Sequence, residues 1–553
     1  MKPRKFLIRS RRRSERFAKK RHAEQAAVSR SLERQDFTSL LAEAVGSKRD
    51  AGVQVTLHLG SANSGKTYDA IETLKKAATG CYLAPLRLLA WEISDKLNTQ
   101  KHPCSLLTGE EKVLIPGAPY TSSTVEMFNP QAGGDCIVLD EAQMLADTQR
   151  GWAWMRVLAL ARARQLEIIA SPDAELLIAK ILNKLGYRFT VVRHERLAPL
   201  TIAHKPWRID HPELHTIFVV FSRAGVLNLK SYFERHGHTV SAIYGNLPPE
   251  VKKKQAERFL SGETELCVAT DSIGMGMNLP ASKVCFTTLV KYDGISERLL
   301  TPAEARQIAG RAGRYGIKEA GEVGALEEYQ LKQLHELLSV KPPDLAFARV
   351  GPEIADIANM TGPLALRLEL WEKHKAVPPE LRDVIRPMDL EQQRTLAGFL
   401  KEEDVQRLGL ETVFAVIKAP ASRDTVAYWW SCVQSLIGDK PFPLPSGIAL
   451  PDGRNDDALL NTEILVEQCD IYLWLANRRE LGRFGTAVER VLEHKWGLIE
   501  KIDRTLTAKS NLQQRCRKCG GNLPVLHKHS ICESCFRSGR GGYSGRSRHR
   551  RGR

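Results

Sequence analysis

In GSANSGKT, Gly60 to Thr67, two glycines bracket four residues and are followed by a lysine and a hydroxyl side chain. Glycines let backbone N–H groups close around an anion, so this spacing cradles the phosphates of a nucleotide. Gly60, Ser61, Ala62, Asn63, Ser64, Gly65, Lys66 and Thr67 are read as an ATP-binding loop, with Lys66 reaching the terminal phosphates and Thr67 offering its hydroxyl to Mg2+. In DCIVLDEAQ an apolar run ends in Asp140 and Glu141. Beside a phosphate loop, Asp140 would hold the same Mg2+ and Glu141 would orient and deprotonate the attacking water. In QIAGRAGRYG, Arg311 and Arg314 share a helical face among the small residues Ala309, Gly310, Ala312 and Gly313. Guanidinium groups so placed can approach a γ-phosphate closely and stabilise charge in the transition state of hydrolysis. A separate chemistry stands near the C-terminus. Cys516 and Cys519, then Cys532 and Cys535, form C-x2-C-x12-C-x2-C, a thiolate set suited to tetrahedral Zn2+. Two disulfides are the alternative, disfavoured without a secretory signal, and the cysteine pairs suffice without His527 or His529.

These groups need elements to hold them. VQVTLHL, Val53 to Leu59, alternates like a strand before the phosphate loop, and TYDAIETLKKAA continues after it as a helix, the order the motif requires. The β-then-α alternation runs from about residue 53 to 200 and again from about 215 to 320. Strand candidates are VQVTLHL, GCYLAPL, DCIVLDEA and LEIIAS in the first stretch, then TIFVVFS, TVSAIYG, ELCVATD and KVCFTTL in the second. Two successive units of this kind predict an α/β fold with two parallel-sheet lobes. Beyond residue 350 apolar residues fall at helical spacing in LEQQRTLAGFLKEEDVQRL and ALLNTEILVEQCDIYLWLANRRELGRF, on either side of the Pro/Gly-rich GDKPFPLPSGIALPDGRN. Leu465, Cys469, Tyr472, Trp474 and Leu475 are read as core rather than as a base-stacking surface.

Composition narrows the partners. The 553 residues suggest about three or four domains, and 43% hydrophobic content is ample for their cores. No apolar run approaches the roughly 20 residues that span a bilayer, so no membrane partner is expected. The net charge of +17 sits at the ends: residues 1–30 hold twelve Lys/Arg against Glu15 and Glu24, residues 537–553 hold seven Arg and no acid, and the remainder balances at 62 of each sign. Such arms capture polyanions through counterion release without sequence preference, and the Gly/Arg/Ser tail cannot support a packed core. A mitochondrial transit peptide is the weaker reading of the N-terminal arm, given its two glutamates and its lack of a long amphipathic face. Seven further cysteines, Cys81, Cys104, Cys136, Cys267, Cys285, Cys432 and Cys469, are scattered through apolar segments and read as small buried hydrophobes.

GSANSGKT, DEAQ, VATDSIGMGMNLP and QIAGRAGR, in that order, resemble motifs I, II, V and VI of superfamily-two helicases. More narrowly, APLRLLAWEI, TGEE, STVEM, RGWAW and CDIYLWLANR are similar to the suppressor-of-Var RNA helicases, the DExH-type helicases of the mitochondrial degradosome and their bacterial relatives. The resemblance covers about residues 50 to 505. It implies two tandem RecA-like P-loop domains with a helical C-terminal domain, ATP hydrolysis, and 3′ to 5′ unwinding of structured RNA or RNA–DNA duplexes. It places Arg87, Thr124, Ser222, Arg223 and Thr270 along a nucleic-acid track, has Asp271 and Gly274 couple that track to the nucleotide, and sets Gln143 and Gln307 between the two sites. RNA is the implied partner, with a 3′–5′ exoribonuclease or a ribosomal particle as further candidates. Family members commonly have GPTNSGKT and DEIQ where this chain has GSANSGKT and DEAQ, changes that spare the chemical groups. ASPDAELL, Ala170 to Leu177, stands where motif III is expected.

The expected organisation is a basic arm over 1–50, RecA-like domains over 51–200 and 201–350, a helical domain over 351–508, a zinc ribbon over 509–536 and an Arg/Gly-rich tail over 537–553. The ribbon and tail are additions to the family plan. The expected setting is a bacterial cytoplasm, with the mitochondrial matrix second. An ATP-gated RNA-binding assembly factor without processive unwinding and a DNA helicase are the alternative functions.

Overall fold

The eight apolar runs read as strands are all strands in the computed structural model, which describes residues 40–47, 52–130, 134–196, 199–274, 276–277, 279–313, 320–373, 377–446, 455–478, 481–508, 516, 518–521, 523, 525 and 531–540. Arg314, His527, His529, residues 1–30 and most of the Arg/Gly-rich tail lie outside these residues. The chain divides into two compact units. The first comprises residues 1–196, 343–447 and 464–496, and the second residues 197–342, 448–463 and 497–553.

The first unit is built on eight strands: β1 (Gln54–Gly60), β2 (Gly80–Ala84), β3 (Cys104–Leu107), β4 (Lys112–Val113), β5 (Tyr120–Thr124), β6 (Gly134–Leu139), β7 (Ala163–Ala170) and β8 (Phe189–His194). Their order is β4-β3-β5-β2-β6-β7-β1-β8, parallel except for the β3–β4 pair. Parallel strands need crossovers that cover the sheet, which is why the runs are apolar on both faces. On one face Ala70, Ile71 and Leu74 of helix Lys66–Lys76 and Ala90, Ile93 and Leu97 of helix Arg87–Thr99 pack against Tyr82, Ala84, Cys136 and Val138. Gly80 opens β2 where no side chain fits, because a Cβ there would lie 2.5 Å from both the Cys136 carbonyl oxygen and Leu74 Cδ1. Gly80→Ala should therefore lower stability by about 1–3 kcal/mol. Denaturant unfolding reads this directly, and an unchanged midpoint would mean that β2 and β6 can separate at no cost.

The second unit carries β9 (Leu200–Ile202), β10 (Thr216–Val219), β11 (Val240–Ile243), β12 (Leu266–Ala269), β13 (Lys283–Phe286), the hairpin β14 (Val290–Tyr292) and β15 (Glu297–Leu299), and β16 (Gly321–Ala325). Six of them form an all-parallel sheet in the order β11-β12-β10-β13-β16-β9. Both sheets are the α/β, RecA-like architecture expected, followed by a helical C-terminal region.

In that region LEQQRTLAGFLKEEDVQRL is not continuous helix. It breaks into Glu391–Ala397 and Glu402–Leu408, because the first helix stops at Gly398 and the backbone N–H of Lys401 is capped by Asp404 at 2.9 Å. Of ALLNTEILVEQCDIYLWLANRRELGRF, the part up to Ala476 lies in the long helix Asn455–Ala476, and Gly482–Phe484 forms a separate short turn of helix. Cys469, Tyr472 and Leu475 are core, whereas Leu465 and Trp474 are only half-buried. Six of the seven scattered cysteines are buried and Cys81 is half-buried, and all are free thiols. Among the described residues no helix is long and apolar enough to cross a membrane.

Candidate functional site

β1 delivers Gly60 to Gly65 at the carboxyl edge of the first sheet, and helix Lys66–Lys76 begins at once. Gly65 has φ +83°, a left-handed conformation that suits glycine, and offers no side-chain cap to the first helical turn. The first N–H groups thus face an anion site. Gly60 leaves no room for a side chain, since a Cβ would lie 2.4 Å from Ser64 Oγ and 2.8 Å from the His194 carbonyl oxygen. Lys66 Nζ folds back to donate to the Ser61 carbonyl at 2.9 Å. Ser64 Oγ is buried with no hydrogen-bond partner among the described residues. An orphaned, buried hydroxyl in this loop fits the phosphates of ATP.

β6 lies two places from β1 and delivers Asp140 and Glu141 to the same edge. Asp140 is buried, its oxygens accepting from Tyr82 Oη at 2.5 Å and the Glu141 N–H at 2.7 Å. Burial, then repulsion from Glu141, pushes its carboxyl up to about 6, against the pull of Tyr82 and of Lys66. A divalent cation reverses both penalties, so this donor set fits Mg2+. Glu141 sits at φ +49° and accepts from Gln143 Nε2, while Gln143 Oε1 accepts from the Ser171 N–H at 3.1 Å. The segment ASPDAELL is thereby wired to DEAQ through one glutamine. Trp154, in RGWAW, donates its indole N–H to the Asp140 carbonyl at 2.9 Å.

Sequence reasoning missed a buried chain beneath the loop. His58 Nε2 lies 2.7 Å from Glu167 Oε2, His58 Nδ1 lies 3.0 Å from His194 Nε2, and His194 Nδ1 lies 3.7 Å from Asp69. Burial, then repulsion from His58, holds the His194 imidazole below its ordinary range, with Lys66 adding to the effect and Asp69 opposing it. Tyr82 was missed as well, because its reach to Asp140 depends on β2 and β6 being neighbours.

In the second unit Thr270, Asp271, Gly274, Gln307 and Arg311 meet around one loop. Thr270 Oγ1 accepts from the Ser272 N–H at 3.3 Å, and Asp271 is paired with Lys291 at 2.8 Å. Arg311 donates to the carbonyls of Gly274 and Met277, and Gln307 packs beside Gly274. Of the residues assigned to the track, Thr124 ends β5 and is buried, and Ser222 caps helix Arg223–Arg235 by accepting from the Gly225 N–H at 3.0 Å. Arg87 is paired with Glu110 at 3.3 Å and Asp470 at 3.4 Å. Arg223 is paired with Glu463 at 2.9 Å, a buried carboxylate that also accepts from Tyr244 Oη at 2.5 Å.

The Sγ atoms of Cys516, Cys519, Cys532 and Cys535 lie within 4.8 Å of one another. Cys519 and Cys532 are 3.7 Å apart, far beyond a disulfide bond. The Cys532 N–H donates to Cys516 Sγ at 3.2 Å, which favours a thiolate there.

Residues 43–194 match the DEXQ-box helicase domain of Suv3, and residues 208–316 match the helicase conserved C-terminal domain. The mitochondrial DExH-box ATP-dependent RNA helicase DExH16 of Arabidopsis thaliana is 41% identical over 307 residues, covering 54% of this chain and 53% of that protein. The mitochondrial ATP-dependent RNA helicase SUV3 of Oryza sativa subsp. japonica is 41% identical over 309 residues, 55% of this chain and 53% of that protein. The mitochondrial DExH18 of Arabidopsis thaliana is 31% identical over 458 residues, 77% of this chain and 56% of that protein. The chain spans about half the length of these relatives. All three are mitochondrial, which overturns the expected bacterial cytoplasm. That expectation leaned on Glu15 and Glu24 against a transit peptide, and two acids in a basic arm do not separate targeting from polyanion capture.

Proposed function

We propose, from the premise that this chain is built on a Suv3-type DEXQ-box helicase domain followed by a helicase C-terminal domain, that it is an ATP-dependent RNA helicase working 3′ to 5′ on structured RNA or RNA–DNA duplexes. The observation that carries the reading is the delivery of the phosphate loop and of Asp140 and Glu141 to one edge of the first sheet. Lys66 and the amides of residues 60–67 bind the phosphates, and Thr67 and Asp140 hold Mg2+. The ion, when bound, neutralises charge on the phosphates. Glu141 takes the proton of the attacking water, with its carboxylate oriented by Gln143. Arg311 and Arg314 stabilise the charge that develops on the transferred group, and Gln307 and Asp271 relay the state of the loop around Gly274 to Thr270. Arg87, Thr124, Ser222 and Arg223 belong to the RNA-facing side, and the basic ends gather RNA by counterion release. The RecA-like domains are assigned to 51–200 and 201–350. An exoribonuclease is a candidate partner, and the relatives' designations support a mitochondrial setting.

The test is strand displacement on matched RNA and DNA duplexes with 3′ or 5′ overhangs. ATP-dependent displacement of RNA from a 3′ overhang is expected. Displacement of DNA alone would make the chain a DNA helicase, and hydrolysis without displacement would make it a nucleotide-gated RNA clamp.

The four cysteines are assigned to one structural Zn2+. Zn–S bonds of about 2.3 Å in a tetrahedron set neighbouring sulfurs about 3.8 Å apart, and Cys519 and Cys532 already stand at 3.7 Å. So small a module depends on its metal to fold. The double variant Cys516→Ser, Cys519→Ser should lose one zinc per chain by metal analysis and lose order only in the C-terminal module. Wild-type protein purified without zinc would remove the ion from this reading.

A further inference from the structure

Three helical segments of the first unit carry an aromatic side chain followed four residues later by a cation. They are Trp152 and Arg156 in helix Gly151–Leu160, Phe414 and Lys418 at the end of Leu410–Ile417, and Trp474 and Arg478 at the end of Asn455–Ala476. Residues four apart share a helical face. The fold brings the three cationic faces together. Lys418 Nζ lies 5.3 Å from the Trp152 ring centroid and 5.6 Å from that of Phe414, and the Arg478 guanidinium stacks 3.4 Å above Trp474. Arg156 and Arg478 both act on Lys418 as like charges, and Glu353 offsets part of their repulsion.

We propose that Arg156, Lys418 and Arg478 form a binding site for the phosphodiester backbone of single-stranded RNA, with Trp152 and Trp474 holding the cations in place. The proposal rests on the RNA-helicase reading and adds a contact surface to it.

The way these cations are held is the first argument. Arg87 and Arg223 are each matched by carboxylates, which cancel their charge toward a polyanion. A cation over an aromatic face is attracted by the ring's quadrupole and keeps its full charge, so Trp152 orients Lys418 without neutralising it, and Glu353 is shared between Lys418 and Arg156. Helix C-termini attract cations, which accounts separately for Lys418 and Arg478. It does not account for Arg156 inside its helix, nor for the convergence of the three.

The surroundings supply the second argument. Arg156 and Lys418 are solvent-exposed, and protein crowds the base of the Lys418 ammonium. Burial, then repulsion from Arg156 and Arg478, holds its ammonium down at about 8. A phosphate among the three cations would relieve that repulsion. The indole Nε1–H of Trp474 is buried and meets no acceptor among the described residues, a donor that a phosphate oxygen would satisfy.

The experiment titrates a labelled oligouridine into the full chain across salt by fluorescence anisotropy. Lys418→Gln and Arg156→Gln should each lower the slope of log affinity against log salt by about 0.7, and the double variant by about twice that. Lys418→Arg should restore the wild-type slope. Slopes equal to wild type in variants with native circular dichroism would overturn the site. Should the glutamine variants misfold, the wild type still decides. Lys418 is solvent-exposed, so a limiting acylating reagent should modify it, and saturating oligouridine should protect it. Equal modification with and without oligouridine would overturn the proposal. Neither readout needs unwinding, so a chain that fails to displace strands yet shows the slope change and the protection would lose the helicase reading and keep the site.

Discussion

Glu141→Gln is expected to bind ATP about as well as the wild type and to hydrolyse it slower by a factor on the order of 10³, within the range that a positioned general base contributes. The substitution keeps the volume of the side chain and its contact with Gln143, and removes the carboxylate that would accept a proton from water. The backbone supports the assignment. Glu141 is a non-glycine residue in left-handed conformation at φ +49°, a cost of roughly 1 kcal/mol or more that folds tolerate where a side chain must be aimed. Lys66→Ala should instead lose binding together with turnover, because its ammonium is part of the phosphate loop. Single-turnover hydrolysis beside equilibrium binding of a fluorescent ATP analogue separates the two variants. Wild-type hydrolysis by the purified Glu141→Gln protein would take the proton transfer away from this residue.

Arg311→Ala should reduce RNA-stimulated turnover by about 10³, the contribution of an arginine that meets transition-state charge. The structure adds a second expectation. The same guanidinium bonds the carbonyls of Gly274 and Met277, so alanine also leaves two acceptors of the VATDSIGMGMNLP loop unmatched, at about 1–3 kcal/mol for each buried group. Lysine can reach one carbonyl but cannot fork to both. Arg311→Lys should therefore recover most of the stability and little of the turnover. Recovery of both together would make Arg311 a brace for the loop, with no role at the phosphate.

The parts of the fold that the sequence makes legible are those where local chemistry and tertiary need coincide. Apolar runs such as DCIVLDEA can be satisfied only by burial on both faces, and the glycines of GSANSGKT are required by a loop that closes on itself. The strand Tyr120–Thr124 was not legible, because YTSST lacks an apolar run; it is interior by pairing with both β2 and β3, and Ser122 Oγ is satisfied there by the Ala90 carbonyl at 2.7 Å, a partner 32 residues away. Phe189–His194 escaped for the opposite reason, since it lies at the sheet edge with mostly exposed side chains. Of the candidate site, the phosphate loop and the acids after β6 could be read from spacing. The partners that set their properties could not. Tyr82 beside Asp140, and Glu167 beside His58, meet only once the strand order is known. Asp470 beside Arg87 and Glu463 beside Arg223 lie hundreds of residues along the chain, in a helix whose sequence gives no sign of what it will face.

Trp154 gives the nucleotide site an optical and magnetic reporter. Its indole is fully buried, and its N–H is bonded to the carbonyl of Asp140, the residue proposed to hold Mg2+. A shift of the Asp140 peptide alters the electric field along that N–H and with it the resonance of a fluorine placed on the indole ring. The chain has nine tryptophans, so fluorotryptophan labelling with a Trp154→Phe control isolates the signal. Each stage of nucleotide binding and release can then be followed at the backbone of the catalytic strand, without a probe attached to the surface.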